Sequence, residues 1–175
     1  MQSDSELVQV ALGGDREAYA VLFRRHERSV LAVALAVLGD YHAAQDAAQE
    51  AFVAAYRNLG GLRIGSSFGP WVCKIARRQA LRIRKQAHRA AENEPPAVEP
   101  SEAPSNGEVD EANRRLLDAV MRLPRHERIV VMLHYFDDRP VGTISEMTGR
   151  PVGTVTMQLS RARARLHKWL KDDLL

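Results

Sequence analysis

The basic residues between positions 71 and 90 are the first in this sequence whose types and spacing suggest a chemistry. They are Lys74, Arg77, Arg78, Arg82, Arg84, Lys85 and Arg89, and no acidic residue interrupts them. A solvated helix usually mixes charge signs, because neighbouring opposite charges stabilise it. The run therefore favours phosphate binding over a solvated basic face, without choosing DNA over RNA.

A second candidate site lies near the C-terminus. VGTISEMT (141–148) predicts a short helix, Gly149-Arg150-Pro151 a tight turn, and the following residues a basic helix from about position 152 to beyond Lys168. These are the parts of a helix-turn-helix, whose second helix enters the DNA major groove. The alternative, an amphipathic helix with solubilising cations, explains neither the glycine turn nor the outward face described next.

Periodicity assigns the two faces of this last helix. Val155, Leu159, Ala162 and Leu166 recur at spacings of four, three and four, which predicts one buried apolar stripe. Residues on the other side of its N-terminal half are expected to contact base edges. These are Thr154, Thr156, Met157, Ser160 and Arg161, whereas Arg163, Arg165 and Lys168 lie further along and are expected to contact phosphate.

The elements that must position these residues are helices throughout. Ser3 with Glu6 forms a capping-box pattern, Asp15 and Asp40 are suited to begin further helices, and Gly39 is suited to end one. The clearest apolar stripe follows Asp40. It consists of Ala44, Ala47, Ala48, Ala51, Phe52, Ala55, Tyr56 and Leu59, and its small side chains predict close helix packing.

An acidic, proline-rich segment divides the chain. Residues 91–110 contain six acidic residues, four prolines and no basic residue, which predicts a flexible linker. Residues 1–90 carry 13 basic and 8 acidic groups, a net +5, and residues 111–175 carry 12 and 8, a net +4. We therefore predict an all-α chain of two small basic helical domains, 1–90 and 111–175, and basic domains favour a polyanionic partner.

Composition also bounds the class of protein. No stretch of about 18 apolar residues occurs and the N-terminus lacks an export signal, so a cytoplasmic protein is expected. The one cysteine, Cys73, is expected to be a buried structural thiol, with a redox sensor as the alternative. No nucleophile-base pair, phosphate-binding glycine loop or metal-ligand cluster is evident, so no enzyme activity and no cofactor are expected.

Four ordered blocks of the sequence resemble the extracytoplasmic-function (ECF) group of RNA polymerase sigma factors. SELVQVALGGDREAYAVLFRRH and LGDYHAAQDAAQEAFVAAYRNL resemble the start and the polymerase-binding helix of sigma domain 2. SSFGPWVCKIARRQALRIRK resembles its promoter-melting helix, and LPRHERIVVMLHYF with ISEMTGRPVGTVTMQLSRARARL resembles sigma domain 4. The resemblance covers almost the whole chain.

The resemblance implies that Asp46, Gln49, Glu50 and Phe52 bind the clamp helices of core RNA polymerase. Phe52 has an alternative place in the core. His42, Asp46 and Glu50, spaced by four, could also mimic a metal site, although no second ligand cluster supports one.

The resemblance further implies that unpaired bases of the promoter −10 element are captured by the loop from Gly60 to Phe68 and the start of the next helix. The residues assigned to this contact are Arg63, Ser67, Phe68, Trp71, Lys74, Arg77 and Arg78. For Trp71 the alternative is again a place in the core.

The function implied is a non-enzymatic initiation subunit that binds core polymerase and reads the −10 and −35 elements, with an anti-sigma factor as regulator. Thr156-Met157 stand where the family often has a basic residue followed by serine, which predicts an unusual −35 target. The alternative is a stand-alone regulator that binds duplex DNA through residues 111–175 and dimerises through its N-terminal half.

Overall fold

The computed structural model describes residues 2–62, 67–93 and 107–172, and helices dominate these ranges, which contain no strand. This agrees with the predicted fold class. The helices are α1 (Asp4–Leu12), α2 (Arg16–Leu38), α3 (Tyr41–Arg57), α4 (Phe68–Asn93), α5 (Gly107–Arg122), α6 (Arg125–Val131), α7 (Val141–Thr148) and α8 (Val152–Asp172). A 3₁₀ turn, Leu59–Gly61, follows α3, and a π-helical turn, Met132–Phe136, follows α6.

The helix boundaries follow the polar residues that the sequence predicts as caps. Ser3 and Glu6 form the reciprocal capping box of α1, and the carboxylates of Asp15 and Asp40 accept hydrogen bonds from the first-turn amides of α2 and α3. Gly39 ends α2 in the left-handed conformation, with φ of 75°. Each cap satisfies backbone groups that a helix end leaves without partners.

The N-terminal bundle, which consists of α1 to α4, is built around alanine. Ala44, Ala47, Ala51 and Ala55 of α3 are all fully buried, and α3 packs against both α2 and α4. Because alanine projects only a methyl group, the helix axes can approach closely. A small shift of one helix would therefore press its side chains against the backbone of the next helix. The predicted stripe is confirmed at these positions, but Tyr56 at its edge is 45% exposed.

The C-terminal bundle, which consists of α5 to α8 and the π-helical turn, departs from the helices predicted from its sequence at one point. The apolar pattern from Ile129 to Phe136 predicts one continuous helix, whereas the structure changes to π-helical turns at Met132. The amide of Asp137 accordingly donates to the carbonyl of Met132, five residues earlier, at 3.3 Å. Such widened turns are rare and often occur at functional positions.

The two bundles pack against each other. Helix α2 contacts α6 and the π-helical turn, and α4 contacts α7. Helix α4 continues to Asn93 and α5 begins at Gly107, so helix extends into both ends of the predicted linker 91–110. The relative orientation of the two bundles could not be predicted from local sequence patterns, so their contact is a new feature of the structure.

A polar cluster joins the first turns of α1 and α4 to α2. Asp4 pairs with Arg25 at 2.9 Å and with the Nε2 atom of His26 at 2.6 Å. The hydrogen bond from His26 lowers the pKa of Asp4, the Arg25 contacts lower it further, and partial burial opposes them. A Cβ atom placed on Gly69 would lie 2.8 Å from the His26 ring, so His26 leaves room only for glycine there.

We predict opposite stability effects for Gly69→Ala and Gly142→Ala, which change the second residue of α4 and of α7. The first forces the His26 ring from its place and should lower the free energy of unfolding by about 1–3 kcal/mol. The second adds a methyl group in open space and should raise it by about 0.5 kcal/mol. Urea unfolding measures both, and equal midpoints would show that His26 moves aside freely.

Candidate functional site

The basic residues of α4 lie on the side of the helix that faces away from the bundle. Val72, Ala76 and Ala80 are fully buried, whereas Lys74, Arg77, Arg78 and Arg82 are exposed. Ser67, directly before α4, is exposed as well. Arg63, also assigned to the −10 contact, lies outside the described residues. The exposed cations form one row along α4 that a polyanionic strand can follow.

The two aromatic residues at the start of α4 have different positions. Phe68 is 1% exposed and contacts the rings of Tyr19 and Trp71. Its assignment as a strand contact is therefore corrected, because a buried ring cannot stack on a base. Trp71 is partly exposed and packs on the core at one side, so it combines the two roles that the sequence left as alternatives.

The turn between α7 and α8 is held by backbone and side-chain hydrogen bonds. Gly149 adopts φ of 68°, a conformation that favours glycine. The hydroxyl of Ser145 donates to the carbonyl of Arg150, whose own amide donates to the carbonyl of Ser145 at 3.2 Å. The predicted helix-turn-helix is thus present, with a fixed angle between its helices.

The faces of α8 agree with their prediction. Val155, Leu159 and Ala162 are buried, whereas the predicted reading residues Thr156, Met157, Ser160 and Arg161 are exposed and Thr154 is partly exposed. The hydroxyl of Thr156 donates to the carbonyl of Val152 at 3.0 Å. The hydroxyl proton of Thr156 is therefore engaged within the helix. Towards a DNA groove, Thr156 can present its methyl group and its hydroxyl oxygen as an acceptor.

Two contacts that the sequence reasoning missed hold α8 on α6. Near the N-terminus of α8, the Nη1 atom of Arg150 donates to the carbonyl of His126 at 3.1 Å and to Oε1 of Gln158 at 3.2 Å. Further along, Nε of Arg165 lies 3.3 Å from Oε2 of Glu127, whose side chain is 2% exposed. Gln158 could have been found from its place beside Val155 and Ala162 on the buried side, but no local pattern indicates Glu127.

The residues assigned to polymerase binding do not all have the same environment. Asp46 and Gln49 are exposed on α3. Glu50 is exposed too, but it pairs with Arg82 of α4 at 2.7 Å. Phe52 is 5% exposed, its ring contacts Phe23, and its carbonyl accepts a hydrogen bond from the Tyr19 hydroxyl at 2.6 Å. Phe52 is therefore a core residue that lines a groove rather than a freely projecting contact.

That groove lies between α2 and α3 and has a volume of about 530 Å³. Phe23, Val53 and Tyr56 line it and are 38–45% exposed. The apolar stripe predicted after Asp40 includes Tyr56, so the exposure of Tyr56 is a correction. The signal for it was available, since Val53 and Tyr56 are large apolar residues on a helix whose buried stripe consists mostly of alanine.

Comparison with known proteins identifies both halves of the chain. The models of Sigma-70 region 2 and Sigma-70 region 4 match residues 22–90 and 113–166. The ECF RNA polymerase sigma factor SigM of Mycobacterium tuberculosis H37Rv is 33% identical over 171 residues, which cover 97% of this chain and 85% of SigM. The chain belongs to the ECF family of RNA polymerase sigma factors. SigW of Bacillus subtilis 168 is 30% identical over 172 residues, which cover 91% of this chain and 92% of SigW.

Solved structures support the same fold for this sigma factor. CnrH, in its complex with the cytosolic domain of CnrY, matches 98% of this chain and 99% of its own at a TM-score of 0.71 and 21% identity. The sigma factor RpoE, in its complex with the anti-sigma factor NepR from Bartonella quintana, matches at a TM-score of 0.61 and 20% identity. The match covers 87% of this chain and 96% of the RpoE chain.

Two further observations concern the described part of the sigma factor. It holds no group of three or more side chains placed to bind a metal ion, so the spacing of His42, Asp46 and Glu50 does not create such a site there. None of its described helices combines the length and the apolarity that a membrane span requires.

We predict that Arg165→Gln lowers the free energy of unfolding of this sigma factor by about 1–3 kcal/mol, because it leaves the buried Glu127 carboxylate without its cation. Arg163→Gln is the matched control on the same helix. Arg163 is exposed and has no ion pair with another described residue, so its change should stay within about 0.5 kcal/mol. Urea unfolding of both variants measures the difference, and equal losses would contradict a structural role for the Glu127 pair.

Proposed function

We propose that the α2–α3 side of this sigma factor binds core polymerase, that α4 engages the opened −10 strand, and that α8 reads the −35 duplex. The chain would act in the cytoplasm without enzyme activity or cofactor. The observation that carries the proposal is the exposed outer face of α8 behind a rigid glycine turn, in the same chain as the basic row of α4.

The proposed polymerase surface combines an apolar groove with exposed polar residues of α3. Exposed apolar side chains in a groove are typical of protein interfaces, and Phe23, Val53 and Tyr56 supply them here. Gln49 lines the groove, Asp46 is exposed about one turn before it on α3, and Glu50 shares its negative charge with Arg82. We therefore assign the specific polar contacts to Asp46 and Gln49, the apolar contact to the groove, and a supporting place to Phe52.

The proposed −35 reader is the outer face of α8. Arg161 can bond guanine through two hydrogen bonds, and the Thr156 methyl group with the Met157 side chain can contact thymine methyl groups. Ser160 and Thr154 complete the base-facing set, and Arg163 is assigned to phosphate. Arg165 shares its guanidinium with Glu127, so its remaining donors are the ones available to phosphate.

The proposed −10 contact uses the basic row of α4 for the strand backbone. Lys74, Arg77 and Arg78 are exposed along one side of the helix, and Trp71 presents part of its ring at the helix start. Base stacking on an aromatic ring contributes about 1–3 kcal/mol per base, which offsets the cost of unstacking. Ser67 and Arg63 complete the assigned set on the sequence resemblance alone.

We also propose an anti-sigma factor as the regulatory partner. The support is by analogy, since the RpoE structure that shares this fold is a complex with the anti-sigma factor NepR. The exposed groove of α2 and α3 is a suitable docking surface, because a partner that covers it would compete with polymerase.

Run-off transcription with purified core polymerase tests the polymerase surface. We predict that Asp46→Lys lowers affinity for core polymerase about ten-fold or more, because it reverses a charge that complements basic partner groups. Glu17→Lys also replaces an exposed acid by a base, but Glu17 lies on α2 and does not line the groove, so this variant should leave binding unchanged. Tight binding of palindromic operator DNA by a chain that neither binds core polymerase nor supports initiation would favour the stand-alone regulator instead.

Selection of bound promoters from random DNA tests the −35 reader. We predict that Arg161→Ala costs about 1–3 kcal/mol and relaxes the preference at one base pair. Arg163→Ala should weaken binding uniformly and lower the slope of log affinity against log salt by about 0.9. A uniform loss with Arg161→Ala would contradict its assignment to a base.

A further inference from the structure

The surface between the two bundles contains a buried polar cluster whose members come from both. The Asp137 side chain, after the π-helical turn, is 3% exposed. It accepts hydrogen bonds from the hydroxyl of Ser29 on α2 and from Nε of Arg139 at 2.7 Å. Arg139 also donates through Nη2 to the carbonyl of Arg25 on α2 at 2.8 Å. We call Ser29, Asp137 and Arg139 the latch.

Two further arginines connect the bundles on either side of the latch. Nη2 of Arg28 on α2 donates to the carbonyl of Phe136. In the opposite direction, Nη1 of Arg128 on α6 donates to the carbonyl of Ala36 near the end of α2 at 3.0 Å. All of these contacts lie on α2, and together they orient the C-terminal bundle along that helix.

The backbone after the π-helical turn aims the latch residues at α2. Asp138 has φ of 53°, a left-handed conformation that non-glycine residues seldom adopt. The amide of Arg139 then donates back to the carbonyl of Leu133 at 3.0 Å, which closes a tight reversal of the chain. Asp137 and Arg139 thereby project towards the same surface from either side of Asp138.

Charges elsewhere along the same surface oppose the contact between the bundles. Burial, and after it the nearby Arg77 of α4, lower the pKa of Arg150. The pKa of Arg128 is lowered by burial and by Arg84 of α4 together with Arg125. Contact between the bundles therefore brings cations of α4 close to cations of the C-terminal bundle, and the latch must offset this repulsion.

The buried ion pair of the latch, Asp137 with Arg139, lies within one bundle. The ion pairs that cross the surface are made by Arg28, whose side chain is 60% exposed, with Asp137 at 4.0 Å and Asp138 at 3.6 Å, and exposed pairs contribute little to stability. Asp137 and Arg139 can stay paired when the bundles separate, since both belong to the C-terminal bundle. Opening partly exposes Ile129, Leu133 and Met147, breaks the exposed Arg28 pairs, and exchanges the bonds to the Ser29 hydroxyl and to backbone carbonyls for bonds to water. Such an exchange costs much less than separating a buried ion pair, so the contact is suited to open and close.

We propose that α2 and α4 carry a reversible docking surface for the chain's own C-terminal bundle, and that the latch is its release point. Opening separates α7 from α4 and frees the side of α4 that bears Lys74 and Arg77, which line a cavity of about 80 Å³ with Arg150 and Thr148. This inference rests on contacts between described residues and not on the proposed function.

Cys73 provides a built-in reporter of opening. It is the one cysteine of the chain, it is 4% exposed, and it lines the same cavity as Ile129, Leu133 and Met147 of the C-terminal bundle. Burial, with a further contribution from Asp137 that Arg139 opposes, raises the pKa of its thiol to about 12. The docked thiol is therefore unreactive towards disulfide reagents, because the thiolate is the attacking species.

The test is the rate at which 5,5′-dithiobis(2-nitrobenzoate) labels Cys73 in the full-length native chain. We expect Arg139→Gln and Ser29→Ala to label about ten-fold faster than wild type, because each removes bonds that hold the bundles together. Arg28→Gln, whose side chain is 60% exposed and whose loss threatens folding least, should label about three-fold faster. Arg24→Gln, on the same helix but paired with Glu17, is the matched control and should not change the rate.

The dependence of labelling on urea separates opening from unfolding. Separation of two folded bundles exposes less surface than unfolding of the whole chain, so the labelling rate should rise with urea less steeply than the global unfolding constant does. If Arg139→Gln, Ser29→Ala and Arg28→Gln all label at the wild-type rate, the proposal is wrong. A urea dependence equal to that of global unfolding would also overturn it, because Cys73 would then become accessible only when the whole chain unfolds.

Discussion

Close packing of alanine-rich helices is the constraint on which the rest of the structure depends. The buried face of α3 is almost entirely alanine, and Ala76 and Ala80 of α4 and Ala32, Ala34 and Ala36 of α2 are fully buried around it. With so little side chain between the helices, neither α2 nor α4 can rotate without a clash. The orientation of α4 follows directly, and with it the outward direction of its cations. The groove of α2 and α3 follows as well, since Phe23, Val53 and Tyr56 are too large for the alanine interface and remain at its edge.

Features with a local physical cause could be predicted from the sequence. Ser3, Asp15 and Asp40 satisfy amides two or three residues away, so their positions predict helix starts. The stripe of Val155, Leu159 and Ala162 is a property of one helix, and it was sufficient to predict which side of α8 is exposed. The helix-turn-helix could be predicted for the same reason, since its turn needs a glycine at position 149 and contains its own hydrogen bonds.

The features that could not be predicted depend on partners far away in the sequence. Asp137 is in a segment that is typical of an exposed turn, yet it is buried, with hydrogen bonds from Arg139 and from the hydroxyl of Ser29, 108 residues earlier. Glu127 is buried because Arg165 of a different helix reaches it. The π-helical turn contributes to this arrangement, since a continuous α-helix over the same residues would place Asp137 at a different angle to α2. No periodicity within one segment carries this information.

The same charges govern both the contact between the bundles and the attraction to nucleic acid. Residues 1–90 and 111–175 carry net charges of +5 and +4, so the bundles repel each other while each attracts phosphate. Salt screens the exposed charges over about 10 Å at 0.1 M and weakens both effects. Higher ionic strength should therefore favour the docked chain and disfavour DNA binding, although the buried latch itself is screened little. Arg77 and Arg150 lie near each other across the docking surface, and loss of either cation removes repulsion and a potential phosphate contact together. The basic character of α4 thus limits how stable the docked state can be, and it does so through the residues that suit α4 to bind a DNA strand.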